Sequence, residues 1–255
     1  MSMTLKPPSR PGDRIAKVMA RAGLCSRRDA EKLIGEGRVT VNGTRILSPA
    51  VKVLADDVVA VDGNPLAARQ STRLWRYHKP PGLVVSHRDP QGRPTVFASL
   101  PSHLPRLVSV GRLDINSEGL LLLTNDGELE RRLELPATGW TRRYRVRAHG
   151  RTDDVALARL QKGIVIDGIR YGPIQASIER RQGANLWLDF ALTEGKNREI
   201  KRVCDVLGLT VNRLIRVSFG PFALGGLERG DIEEVSPRVL WDQLGSLHPS
   251  AGQRK

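Results

Sequence analysis

The chain has 255 residues, enough for one large domain, or a large and a small one, around a substantial core. Lys and Arg number 41 against 27 Asp and Glu, a formal net charge of +14, and an excess of that size points to a polyanionic partner, nucleic acid first. Cys25 and Cys204 lie far apart with no CxxC pair, which argues against a disulfide framework or a cysteine-rich zinc site. The longest aliphatic run, Leu120 to Leu123, is too short to cross a bilayer. A cytoplasmic protein with no membrane partner is therefore expected.

Residues 1–12 hold three prolines and no apolar period, the pattern of a flexible basic arm without a signal-peptide core. From Arg14 the spacing of Ile15, Val18, Met19 and Ala22 predicts a helix, with Arg14, Lys17 and Arg21 on another face and Gly23 as its C-terminal stop. Ser26, three residues before Asp29, predicts the start of a second helix that turns Ala30, Leu33 and Ile34 inward and stops near Gly35 or Gly37. Alternation at Val39 and Val41, the Asn42-Gly43 turn, a strand over residues 58–61 and the Asp62-Gly63 turn complete a small α/β module. Arg14, Lys17, Arg21, Arg27, Arg28, Lys32 and Arg38 give it a basic surface. From residue types alone, that surface is either a solvated face or a polyanion cradle.

Residues 67–73 are small and polar and suggest a linker, followed by a larger domain over residues 74–245 and a frayed tail over residues 246–255. Within 74–245, apolar runs at 107–110, 120–124, 143–146, 163–166, 186–192 and 215–217, punctuated by Gly and Pro, predict strands. Helices are expected over 127–133, 153–162 and 198–207. Several strands with few helices and no βαβ repeat indicate an α+β domain.

One stretch concentrates the polar chemistry. In GRLDINSEGLLLLTNDG, from Gly111, Asp114 sits in a polar loop with a glycine at each shoulder and an apolar strand after it. Such a loop presents a charged group at the edge of a rigid sheet. A calcium loop would use Asp114, Asn116 and Glu118, but its twelfth position is Asn125 rather than Glu. A structural carboxylate paired with Arg112 or a turn amide, and a catalytic carboxylate, both stay open on residue chemistry.

The wording itself resembles a known family. RIAKVMARAGLCSRRDAEKLIGEGRVTVNG followed by VDG resembles the S4 RNA-binding domain over residues 13–66. GRLDINSEGLLLLTNDGEL resembles the aspartate motif of the rRNA pseudouridine synthases that carry such a domain. The other landmarks follow in order: YHKPPGLVVSHRDPQGRPTVFASLP, then RRYRVRAHG with Tyr144, then LTEGKNREIKRVCDVLGLTVNRLIRVSFGPFALGGLERG. The likeness runs from about residue 13 to 235, and the DPQGRPTVF wording is nearest the large-subunit branch.

The resemblance implies an α+β chain: a small N-terminal S4 RNA-binding domain and a larger pseudouridine-synthase domain with a mixed, mainly antiparallel sheet. It implies isomerisation of a ribosomal RNA uridine, large-subunit RNA being favoured, after the base is flipped out of its stack. No cofactor or metal is called for. Asp114 would be the essential group, as nucleophile or as base. Tyr144 would stack on the uracil or move a proton, and Lys201 would supply the opposite charge that favours an ionised Asp114. The family often has Arg at position 201; Lys keeps the charge but not a bidentate contact. Arg112 would fill the gap left by the flipped base or hold a phosphate, and Leu214 would pack beneath the uracil. The seven basic residues of the N-terminal module would contact RNA phosphates. A non-catalytic assembly factor would lack Asp114 or Tyr144, and both are present. A basic DNA-binding protein is disfavoured, because the predicted helix pair has no evident dimer seam and the remaining length would lack a purpose; a monomer is expected.

Overall fold

The computed structural model describes residues 12–68, 70–135 and 138–245. The expected arm, beyond Gly12, and the expected tail lie outside the described residues. The chain divides into two compact units between Thr72 and Arg73.

The first unit contains β1 (Asp13–Arg14), α1 (Ile15–Arg21), α2 (Arg27–Gly35), β2 (Val39–Val41), β3 (Thr44–Ile46), β4 (Lys52–Val53), β5 (Val59–Val61) and β6 (Asn64–Pro65). Ser26 accepts from the Asp29 backbone N–H at 3.1 Å, the expected start of α2. Gly23, at φ 79°, ends α1 in the left-handed region. Ile15, Met19, Ala30, Ile34 and Val39 form the core that the helix and strand periods anticipate, joined by Ala16, whereas the expected Val18 and Ala22 are only partly buried. Leu33 packs at its edge only, and Val58 is exposed just outside β5.

The second unit contains β7 (Leu74–Lys79), β8 (Val108–Val110), β9 (Glu118–Thr124), α3 (Gly127–Glu134), β10 (Arg142–His149), α4 (Asp154–Arg159), β11 (Ile164–Ile166), β12 (Ile169–Tyr171), β13 (Ile174–Gln182), β14 (Asn185–Leu192), α5 (Glu199–Val206), β15 (Thr210–Phe219), β16 (Phe222–Ala223), β17 (Ile232–Glu234) and α6 (Pro237–Gly245). A nine-stranded mixed sheet runs β13-β14-β10-β15-β9-β7-β17, with β16 on β15 and β8 on β9. Among its pairings only β9–β15 is parallel. Arg73, at the end of the expected linker, belongs to this unit, because its side chain pairs with Glu234 and its carbonyl accepts from the Thr124 hydroxyl at 2.7 Å.

The run in β9 is continuous rather than alternating because both of its faces are covered. Leu121 and Leu123 join one core cluster, with Trp75, Tyr77, Val146, Leu188, Ile200 and Val203. Leu120 and Leu122 join another, with Leu129 and Leu133 of α3 and Leu240 and Leu244 of α6. The helix expected over 153–162 is α4 followed by a 3-10 turn, Leu160–Lys162. Strands β13 and β17 and helix α6 carry too few apolar residues, or too short a run, to be read from pattern.

Gly119 makes the β9–β15 contact possible. Its φ is 103°, and a Cβ there would overlap the Arg216 backbone. Replacing it by alanine, Gly119→Ala, is expected to cost about 3 kcal/mol in denaturant unfolding, through the forbidden φ and the clash together. A loss below about 0.5 kcal/mol would contradict that packing.

Candidate active site

The loop between β8 and β9 carries Asp114, and several backbone bonds fix it. Gly111, at φ 69°, donates its N–H to Glu134 Oε1 at the loop's start. The Ser117 N–H donates to the Asp114 carbonyl at 3.0 Å, and the Gly82 N–H to the Ile115 carbonyl at 2.7 Å. Lys79 secures the loop from beneath. Its side chain is fully buried at the end of β7 and donates to the carbonyls of Pro80 (2.9 Å), Ile115 (3.2 Å) and Ser117 (2.8 Å). Burial pushes this ammonium down to about 8, although the charges of Asp114 and Glu118 oppose the shift.

Asp114 remains about one-third exposed, and its carboxylate lies 3.2 Å from Lys201 Nζ on α5. Its partner is therefore Lys201, not Arg112. Glu118, four residues on, is buried and turned to Arg213 and Arg229. Two of the would-be calcium ligands thus face separate cations, and among the described residues no group of three His, Cys, Asp or Glu could hold a metal ion.

Asp114 opens into a cleft of about 850 Å³. Arg112, Tyr144 and Leu214 line it too, from three separate elements. Tyr144 lies on β10, opposite Arg216 on β15 and Phe190 on β14, so its ring stands in a cross-strand row. It is 9 % exposed, as a ring in a cleft wall should be. Leu214 pairs with Val146 in the next row, and Arg112 is exposed at the rim. Lys201 reaches the site through its ion pair with Asp114. All five residues singled out in this domain from sequence therefore converge on one place.

Three further residues of the cleft were not singled out. Arg142 donates to the Thr193 carbonyl at 2.5 Å and lies over the Phe219 ring. Arg216 is buried and donates to the Leu120 carbonyl at 2.7 Å. Glu199, at the start of α5, is 3 % exposed; one oxygen accepts from the Lys196 N–H at 2.9 Å, and the other has no hydrogen-bond partner among the described residues. Lys79 had no clear signal, since it ends a strand that also carries Arg76 and His78. Glu199 had none, since a glutamate at a helix start reads as an exposed dipole partner.

In the first unit the seven basic residues divide. Lys17 and Arg21 both pair with Asp13, at 2.6 and 2.5 Å. Arg38 pairs with Asp62 at 2.5 Å, and Lys32 lies 3.8 Å from Glu36. Arg14, Arg27 and Arg28 are exposed, with no carboxylate partner among the described residues.

Burial raises the Glu199 carboxyl from 4.5 to about 7, against the opposing pull of the Lys196 N–H and Arg142. The folded chain thus holds this proton more tightly than the unfolded one. Its stabilising contribution is full below about 4.5 and is lost as pH rises through about 7. Glu199→Gln keeps an acceptor for Lys196. It should raise the melting temperature at pH 8, leave it unchanged at pH 4.5, and flatten the dependence between. An equal change at both pH values would contradict this reading of the buried carboxyl.

Comparison with known proteins adds relatives to this geometry. A family model described as RNA pseudouridylate synthase matches residues 73–205, and one described as S4 domain matches residues 13–59. An uncharacterized RNA pseudouridine synthase of Rickettsia felis is 48% identical over 227 residues, spanning 89% of this chain and 98% of that protein. Ribosomal large subunit pseudouridine synthase B of Yersinia pestis is 40% identical over 231 residues, 88% of this chain and 73% of that protein. The crystal structure of a pseudouridylate synthase superposes with a TM-score of 0.62 at 27% identity, covering 89% of this chain and 98% of that one.

Proposed function

We propose that this chain, which belongs to the RNA pseudouridine synthase family and carries an S4 RNA-binding domain, isomerises a uridine of large-subunit ribosomal RNA through Asp114. The observation that supports it best is the convergence of Asp114, Tyr144 and Leu214 on one cleft with Lys201 on the carboxylate. The large-subunit preference rests on the relatives described as large-subunit synthases.

The reaction breaks the C1′–N1 bond of uridine, turns the base, and joins C5 to C1′. No net redox change occurs. A stacked base hides both C1′ and C6, so the target uridine leaves the stack, at roughly a few kcal/mol. Phosphate contacts elsewhere offset that cost. In the cleft the uracil lies against the Tyr144 ring, with Leu214 as an apolar floor. Arg112, exposed at the rim, meets the RNA backbone or the gap the base leaves.

Asp114 acts on the sugar or the base as an ionised carboxylate. Lys201 is its counter-ion and, as a single ammonium, fixes one oxygen rather than gripping both. Lys79 and the backbone bonds around Ile115 and Ser117 keep the carboxylate from swinging as the base enters. Positioning of this kind is worth several kcal/mol of barrier. Tyr144 offers its hydroxyl for proton transfer.

Asp114→Asn preserves shape and removes the ionisable oxygen. It should lower isomerisation on ribosomal RNA at least a thousandfold, scored as carbodiimide-resistant reverse-transcription stops, while RNA affinity stays within about twofold of wild type. Substantial residual turnover would remove Asp114 from the chemical step.

The first unit grips RNA through Arg14, Arg27 and Arg28, the three of its seven named basic residues that no carboxylate holds among the described residues. Arg27→Gln with Arg28→Gln should weaken RNA binding and lower the slope of log affinity against log salt by roughly 1.5. Binding titrations over a salt series measure both, and an unchanged slope would deny these arginines a phosphate contact.

A further inference from the structure

On the face opposite the cleft, one half of the central sheet is covered by no helix of its own unit among the described residues. Beneath β7 and β9 that face is closed by α3 and α6. Across β10, β13 and β14 it carries mainly polar side chains instead, with Trp187 of β14 and the buried Ile215 of β15 among them. On β10, Tyr144, Val146 and Ala148 are buried, and the alternate residues Arg143, Arg145 and Arg147 face outward.

Directly paired residues of antiparallel strands share a face. The register therefore places Arg180 of β13, Trp187 of β14, Arg147 of β10 and Arg213 of β15 in one row across four strands. In the next row Arg145 stands beside Asp189; its guanidinium lies 4.9 Å over the Trp187 ring and bonds both oxygens of Glu179. Arg143 follows in the row after that, beside Ser218. Arg213 is engaged by Glu118. Arg143, Arg147 and Arg180 have no carboxylate within ion-pair distance among the described residues. Like charges brought side by side on adjacent strands repel; Arg213 answers the buried Glu118, but no carboxylate among the described residues calls for Arg147 beside it.

We propose that this open sheet face is a second RNA-binding surface, which holds the phosphate backbone of a substrate segment other than the one that delivers the target uridine. The inference rests on the reading of this chain as an enzyme acting on ribosomal RNA. Three observations carry it. The cations are arginines, suited to bidentate phosphate contact. Alternate positions on β10 are roughly 6.7 Å apart, close to the step between successive phosphates of one strand. A partly buried tryptophan, Trp187, lies among the arginines with Arg145 over its ring, the pairing of aromatic surface and positive charge with which open sheets receive RNA. Tyr144 and Arg147 point to opposite faces of β10, so the two surfaces engage different segments of a large folded RNA.

The test compares wild type with Arg147→Gln/Arg180→Gln and with Arg147→Lys/Arg180→Lys on two RNAs: a long fragment of large-subunit ribosomal RNA, and the minimal stem–loop around the uridine that wild type modifies. The Gln pair should bind the long fragment five- to tenfold more weakly, with a salt slope lower by roughly 1.5. The Lys pair should recover most of that loss. Stem–loop affinity and the single-turnover rate at saturation should match wild type for both pairs. Unchanged affinity and slope on the long fragment would overturn the proposal and leave the face to a protein partner or to solvent. Equal weakening on both RNAs would also overturn it, by tracing the effect to the cleft. If wild type modified neither RNA, the function itself would be contradicted, and this inference with it.

Discussion

A charged group cannot be both exposed to a substrate and fixed in place unless something beneath it does the fixing. Here that is the Lys79 ammonium, buried at the end of β7 and shared among three carbonyls, two of them in the Asp114 loop. A fully buried cation is costly when unpaired, so the three carbonyls must stay where they are. The loop then has little freedom, and Asp114 is presented toward Lys201 and the cleft. Gly119 lets β9 approach β15 at the loop's far end, and Glu134 holds Gly111 at its near end. The remaining architecture is organised around keeping those anchors rigid.

The sheet separates labour by face. Its inward rows supply the apolar and aromatic wall of the cleft, with Tyr144 and Leu214 in adjacent rows of β10 and β15. Its outward rows carry Arg143, Arg147 and Arg180, which no carboxylate holds among the described residues. The first unit makes the same distinction among its seven named basic residues, four neutralised by local carboxylates and three exposed without one among the described residues. A formal charge of +14 therefore overstates the charge available to RNA, and the contacts that matter are those left over after internal pairing.

Much of this was legible in the sequence, for reasons that can be named. The helix pair at Ile15–Gly35 follows from apolar spacing and the Ser26 cap, and β9 from an aliphatic run bounded by glycine and Asn-Asp. Asp114 stood out as an acidic residue in a polar loop before that run. Less was legible where burial overrides residue type. Glu199 and Lys79 are charged yet buried, and neither stands apart in the sequence from a surface residue. Arg142 and Arg216 lie in strands whose other arginines face outward, so only the register reveals which way they turn. Strand β13, with Glu179, Arg180, Arg181 and Gln182 in its second half, has exposure where a period-two signal would need burial.

The most direct measurement is an experimental structure of the Asp114→Asn chain bound to a ribosomal RNA stem–loop that wild type modifies. The target uridine should be out of its stack, with the uracil between Tyr144 and Leu214 and residue 114 facing the ribose. A uridine still stacked in its helix, or an extruded base seated anywhere other than this cleft, would contradict the catalytic role given to the loop that Lys79 holds.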